Sequence, residues 1–176
     1  MLKEMLENVR EIEKEEMEYL FFNALQNKVV NVGMIESFLK MGEKKLKKGE
    51  SISMKSIDSQ GNGVLHFYCS NEKMQEEIIL YLLQKKADPN LKNEQMKTPL
   101  HFAASNSSFH LPLFEKMLKW GFRKDQSDLN GNFPLHSYCH GNPHLDVALL
   151  SVFLDDFPSK KKSKLVFILS PLIPFS

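Results

Sequence analysis

The sequence predicts an all-α solenoid built from stacked helix-turn-helix units. Three observations carry this expectation. The stretch Thr98-Pro99-Leu100-His101-Phe102-Ala103-Ala104 is echoed upstream by Val64-Leu65-His66-Phe67-Tyr68-Cys69. It is echoed downstream by Phe133-Pro134-Leu135-His136-Ser137-Tyr138-Cys139, and the histidines are 35 residues apart in both steps. Each copy is followed by an apolar run at helical spacing: Ile78, Ile79, Leu82 and Leu83, then Leu113, Phe114, Met117 and Leu118, then Leu145, Ala148, Leu149, Val152 and Phe153. A period of this length marks small units that cannot bury their apolar sides alone and therefore stack.

These residues resemble the ankyrin-repeat family, whose pattern is Asp-x-x-Gly-x-Thr-Pro-Leu-His-x-Ala, an apolar helix ending Leu-Leu, then Gly-Ala-Asp-x-Asn. Thr98 to Ala103 matches residue for residue. Asp58, Gly61, Leu82-Leu83 and Ala87-Asp88-Pro89-Asn90 match in the first copy, and Asp128, Gly131, Pro134, Leu135 and His136 in the third. The family's usual unit is two residues shorter; the extra residues are expected between the two helices, around Asn71–Met74 and Asn106–Phe109, where a loop tolerates length.

Taken in order, residues 1–18 read as an amphipathic lead-in helix. Leu2, Met5, Leu6, Val9 and Ile12 lie on one side, and Glu4, Glu7, Glu11, Glu13, Glu15, Glu16 and Glu18 make the other acidic. It either recruits a partner helix or covers the first repeat, and a stripe of barely two heptads favours the latter. Residues 19–57 read as a degenerate terminal unit, with Phe21-Phe22-Asn23-Ala24 standing where Leu100-His101-Phe102-Ala103 stands, and with Ile35, Phe38 and Leu39 on its second helix. A basic loop from Glu43 to Lys55 carries Lys44, Lys45, Lys47 and Lys48; such a run is either solvated or a seat for a phosphate-rich or acidic partner.

Three repeats then occupy 58–92, 93–127 and 128–158. Gly63 and Val64 replace the Thr-Pro pair in the first, removing a capping hydroxyl and a preset backbone angle, so a looser helix start is expected there. Pro99 and Pro112 sit in first helical turns, where a missing N–H costs little. Trp120 and Phe122 form either a contact patch or packing on the adjacent repeat. Residues 159–176 are basic, with Lys160, Lys161, Lys162 and Lys164, and then apolar. The tail either folds back over the open end of the stack or reflects a truncated longer protein; its lysines are a weak nuclear-import signal.

The chain of 176 residues is 42% apolar and 26% charged with a net charge of +1, so no global field favours nucleic acid or membrane. No apolar run reaches the roughly 20 residues that span a bilayer, and the start is no signal peptide. Cys69 and Cys139 fall two repeats apart, too far to bond, which fits a cytoplasmic or nuclear setting.

His66, Cys69, His136 and Cys139 would hold zinc only if they met, and a linear stack keeps them apart. His136, Cys139, His140 and His144 are local, but the resemblance gives His136 a structural duty. In the family this histidine ties neighbouring turns together, so His66, His101 and His136 are expected to be structural, with Thr98 joining His101. No phosphate loop or catalytic dyad stands outside the repeat logic, so no enzyme activity and no cofactor are expected.

The resemblance implies a protein-protein interaction module, adaptor or scaffold that binds a protein partner through its concave face. The alternative is an ankyrin fragment of a larger signalling or enzyme polypeptide. The matching contact positions are Ser59, Gln60, Asn62, Ser70 and Asn71 in the first repeat. They are Glu94, Gln95, Lys97, Ser105 and Asn106 in the second, and Leu129, Asn130, Asn132, His140 and Gly141 in the third. This surface is polar and rich in amides, and a monomer without nucleic-acid partner or membrane span is expected.

Overall fold

A computed structural model describes residues 12–142 and 144–155. Among these the chain is helical: α1 Lys14–Leu25, α2 Val32–Lys45, α3 Val64–Cys69, α4 Glu76–Gln84, α5 Pro99–Ala104, α6 Leu111–Lys119, α7 Pro134–Gly141 and α8 Val147–Leu154. They pair as four helix hairpins. The first helices stack in one row, α1 on α3, α3 on α5 and α5 on α7; in the second row α2 meets α4 and α6 meets α8. The hairpins stack into an all-helical solenoid.

Two rows of apolar side chains hold the units together. Phe21, Leu65, Leu100 and Leu135 take the same position in the inner helices and are all buried, as are Ile35, Ile79, Phe114 and Leu149 in the outer helices. Inter-helix loops add a third row: Val30, Met74 and Phe109 are buried between the helices they connect. The two longer loops of the second and third units therefore supply core as well as length. Phe109 meets Phe114, Tyr138 and Phe153, and the Phe114 and Phe153 rings lie 4.2 Å apart between the last two units. Phe122 is buried and Trp120 packs half-buried on the core, so this aromatic pair serves packing.

The entry to the stack differs from the sequence expectation. Helix α1 spans the boundary expected between residues 18 and 19, and its Met17, Phe21, Phe22 and Leu25 are buried. Phe22 stacks on Phe67 of the next unit at 4.6 Å. Ile12 is buried and its N–H donates to the Lys45 carbonyl, while Lys47 pairs with Glu13 at 3.1 Å. Lys44 and Lys45 belong to the last turn of α2, where cations oppose the helix dipole favourably, and Leu46 and Ile52 anchor the following loop in the core. Residues 1–11, the rest of the expected lead-in helix, and 156–176, the basic and apolar tail, lie outside the described residues.

Candidate functional site

Each repeat opens with a turn that projects from the stack as a finger. An acid or amide side chain builds it: Asp58 Oδ1 accepts the N–H groups of Gln60 and Asn62, Asn93 Oδ1 those of Gln95 and Lys97, and Asp128 Oδ1 those of Asn130 and Asn132. Short polar side chains fold the backbone this way because they reach amides two and four residues on. The third position beyond the acid or amide lies in the left-handed region, with φ of 77° at Gly61, 58° at Met96 and 78° at Gly131. Glycine adopts it freely; methionine does not.

The fingers are cross-linked. Glu94 N–H donates to the Gln60 carbonyl at 2.9 Å, and Leu129 N–H to the Gln95 carbonyl at 3.0 Å. Asn93 Nδ2 donates to Asn62 Oδ1 at 2.8 Å. The histidines complete the tie. His66 Nδ1 accepts the Gly63 N–H and its Nε2 faces the Lys97 carbonyl at 3.0 Å; His101 Nδ1 accepts the Thr98 N–H and its Nε2 faces the Asn132 carbonyl at 3.1 Å. A carbonyl only accepts, so Nε2 carries the proton in both rings and each imidazole is neutral. Burial holds both rings below the usual histidine range, against the pull of the carbonyls they serve. Thr98 Oγ1 lies 3.0 Å from His101 Nδ1, and His136 Nδ1 accepts the Phe133 N–H at 2.8 Å. At Gly63 the missing side chain makes room for Leu91, whose methyl would lie 2.6 Å from a Cβ there.

A second ladder, not foreseen from the sequence, ties the far ends of the inner helices. Asn71 Nδ2 donates to the carbonyls of Leu25 and Asn27, Asn106 Nδ2 to those of Cys69 and Asn71, and Asn142 Nδ2 to those of Ala104 and Tyr138. The shared 35-residue step from Asn71 to Asn106 is the signal that marks it. Tyr68 adds a bridge inside its unit: its hydroxyl accepts the Gln75 N–H at 2.7 Å, as the Tyr138 hydroxyl accepts that of Asp146. Burial pushes the Tyr68 phenol up to about 12.

Between the finger row and the inner helices of the last two units lies a cleft of about 390 Å³, bordered by Lys97, Ser105, Asn132, Ser137, His140 and Gly141 with His101, His136 and Asp128 at its base. Of the positions expected to meet a partner, Ser59, Gln60, Ser70, Glu94, Gln95, Ser105, Leu129, Asn130, His140 and Gly141 are exposed, and Lys97, Asn106 and Asn132 half-buried. Asn62 and Asn71 are buried at 9% and 1% exposure, and their amides are spent on Asp58, Asn93 and the α1 end. Both are scaffold residues, and Asn106, whose Nδ2 serves two carbonyls, joins them. Gly141 matters through its lack of a side chain: a Cβ there would lie 2.6 Å from the Ser105 Cα, so α7 could not approach α5 as it does.

Cys69 and Cys139 are free, and burial pushes both thiols up, which keeps them protonated and poorly nucleophilic. Among the described residues no cluster of three His, Cys, Asp or Glu is placed to hold a metal ion, and no helix is long and apolar enough to cross a membrane.

Comparison with known proteins places these observations. Residues 65–120 match the family described as ankyrin repeats (many copies). A stretch of 47 residues is 47% identical to transient receptor potential cation channel subfamily A member 1 of Homo sapiens, covering 27% of this chain and 4% of that protein's length.

Proposed function

Residues 65–120 belong to the ankyrin-repeat family, whose arrays generally serve as protein-interaction modules, and from that premise we propose that this chain is a non-catalytic adaptor that binds a protein partner along its finger row and the inner-helix side of the cleft. One observation carries the reading. The hydrogen-bonded ladder of fingers holds Gln60, Glu94, Gln95 and Asn130 exposed along one edge, and Ser105 and His140 line the cleft together with the finger residues Lys97 and Asn132. A preformed edge of this kind loses little conformational entropy on binding. The proposed setting is the cytosol or nucleus, as a monomer, which the two free thiols support.

The test compares the full chain with a Gln95→Ala, Asn130→Ala variant as bait, with bound proteins identified by mass spectrometry. The variant should keep the thermal midpoint, since neither side chain bonds the scaffold in the structure, and should lose the partner. Undiminished capture would move the interface to another face.

A second reading is that the repeats form part of a larger signalling or enzyme polypeptide. The similarity to 4% of a much longer channel subunit favours it. A transcript continuing past Lys164 into another Gly-x-Thr-Pro-Leu-His unit would establish it.

A further inference from the structure

The cleft between the third and fourth units has an uneven supply of polar groups. Several of its lining side chains are already engaged. His101 accepts the Thr98 N–H and serves the Asn132 carbonyl, and the Ser105 hydroxyl donates to the Phe102 carbonyl. Asp128, the acid at the base, is 7% exposed and receives two backbone N–H groups and the Asn132 side-chain amide from its own turn. Lys97 stands apart: it makes no ion pair among the described residues and is half-buried at the cleft wall, and at His101 the charge of Asp128 favours protonation more than that of Lys97 opposes it. Ser137 and His140 line the same space across from it. The groups left to meet a ligand are thus a cation, a hydroxyl and an imidazole.

We propose that this cleft seats the carboxylate of an aspartate or glutamate side chain presented by a protein partner, with the Lys97 ammonium as counter-charge and Ser137 and His140 as hydrogen-bonding neighbours. The inference rests on the reading of this face as protein-binding and names the chemistry of what it binds. Charge complementarity selects the occupant: a basic side chain would meet Lys97 with like charge, and a neutral amide would leave that ammonium partly desolvated and unmatched. The volume, about 390 Å³, lies at the lower end of the range of ligand clefts, a size suited to side chains entering from a segment that runs along the fingers. The backbone carbonyl of Lys97 belongs to the His66 tie, which fixes the residue from which the side chain reaches into the cleft.

The experiment is selection from a random-peptide phage library on the immobilised full chain, run in parallel on Lys97→Met. This variant keeps the aliphatic stem and the backbone tie, and its thermal midpoint should match the parent. Peptides selected on the parent should be enriched in Asp and Glu, and the enrichment should vanish on Lys97→Met. Replacing the selected acid by its amide should weaken binding roughly tenfold or more, the usual scale for a hydrogen bond to a charged group. Sodium acetate at millimolar concentration should compete weakly. Selection of peptides without acidic enrichment, or equal affinity of acid and amide forms, would overturn the proposal. So would acetate or inorganic phosphate binding as tightly as the peptides, which would mark a small-anion site. Peptides that lack an acid yet are lost on Gln95→Ala, Asn130→Ala would sink this inference alone and leave the interaction module standing.

Discussion

The His101 ring spans two units: its Nδ1 accepts the Thr98 N–H at the head of α5 and its Nε2 reaches the Asn132 carbonyl in the next finger, 31 residues on. His66 makes the same link one unit earlier, to Lys97. One imidazole therefore links the start of α5 to the turn of the next unit. His101→Ala leaves the buried Thr98 N–H without an acceptor, while the Asn132 carbonyl keeps the Asp128 N–H as a donor. That loss costs about 1–3 kcal/mol, so a fall of the thermal midpoint by about 2–12 °C is expected in calorimetry. An unchanged midpoint would remove the tying role.

The same rings set a pH dependence. Burial holds His66 and His101 below their ordinary 6.5 in the folded chain. As pH falls through about 6.5 the unfolded chain takes up protons that the folded rings refuse, so unfolding is favoured. The stability they contribute is complete above the unfolded value and is lost progressively as pH drops toward the folded one. Urea midpoints at about pH 7.5 and about pH 5.5 should fall more steeply for the parent than for His101→Asn, which lacks one such ring. Parallel curves would show that other groups carry the effect.

The repeat frame is legible because Leu and His recur at a fixed step, and Leu65, Leu100 and Leu135 with His66, His101 and His136 are where that step puts them. The asparagines are harder to read. Asn62, Asn71 and Asn106 look like surface residues of loops, because an amide says nothing about which group it meets; each has a partner 31 to 46 residues away in a neighbouring unit. The start of α1 is hidden for another reason. Glu13, the extended residue before α1, makes no side-chain cap hydrogen bond, so no capping pattern signals that a helix begins at Lys14. The finger residues were legible by register alone; the cleft was not, since it forms from two units.

Met96 marks a place where a finger departs from its siblings. It occupies the left-handed position that Gly61 and Gly131 fill in the other two repeats, and its side chain is 38% exposed. An L-residue with a side chain pays about 1 kcal/mol for this conformation, partly offset because glycine gains entropy in the unfolded chain. Met96→Gly should therefore raise stability by about 0.5 kcal/mol in urea unfolding. Gly61→Ala should do the reverse by about 1–2 kcal/mol, because φ is 77° there and a Cβ would press on Glu94 N at 3.1 Å. A loss of stability in Met96→Gly would mean that the methionine side chain contributes packing that outweighs its backbone strain.

Gly141 closes the inner row. At the last turn of α7 it lies against the C-terminal end of α5, so near that a Cβ would sit 2.6 Å from the Ser105 Cα and closer still to its carbonyl oxygen. Backbone cannot swing aside as a side-chain tip can, so Gly141→Ala must push α7 away from α5. That opens the interface holding Leu100 and Leu135, and overpacking of this kind costs about 1–3 kcal/mol. The same displacement would strain the Asn142 amide, which reaches the Ala104 carbonyl at 3.0 Å, and would widen the cleft. Gly49→Ala is the control: its φ of 95° makes alanine costly there too, but nothing lies within 4 Å of a Cβ, so its effect is confined to the local backbone. Hydrogen exchange should therefore speed up at Leu135, His136 and Tyr138 in Gly141→Ala while staying at parental rates there in Gly49→Ala. Unaltered exchange in both would mean that α5 and α7 can separate without loss, and that the contact between their ends does not hold the fourth unit in place.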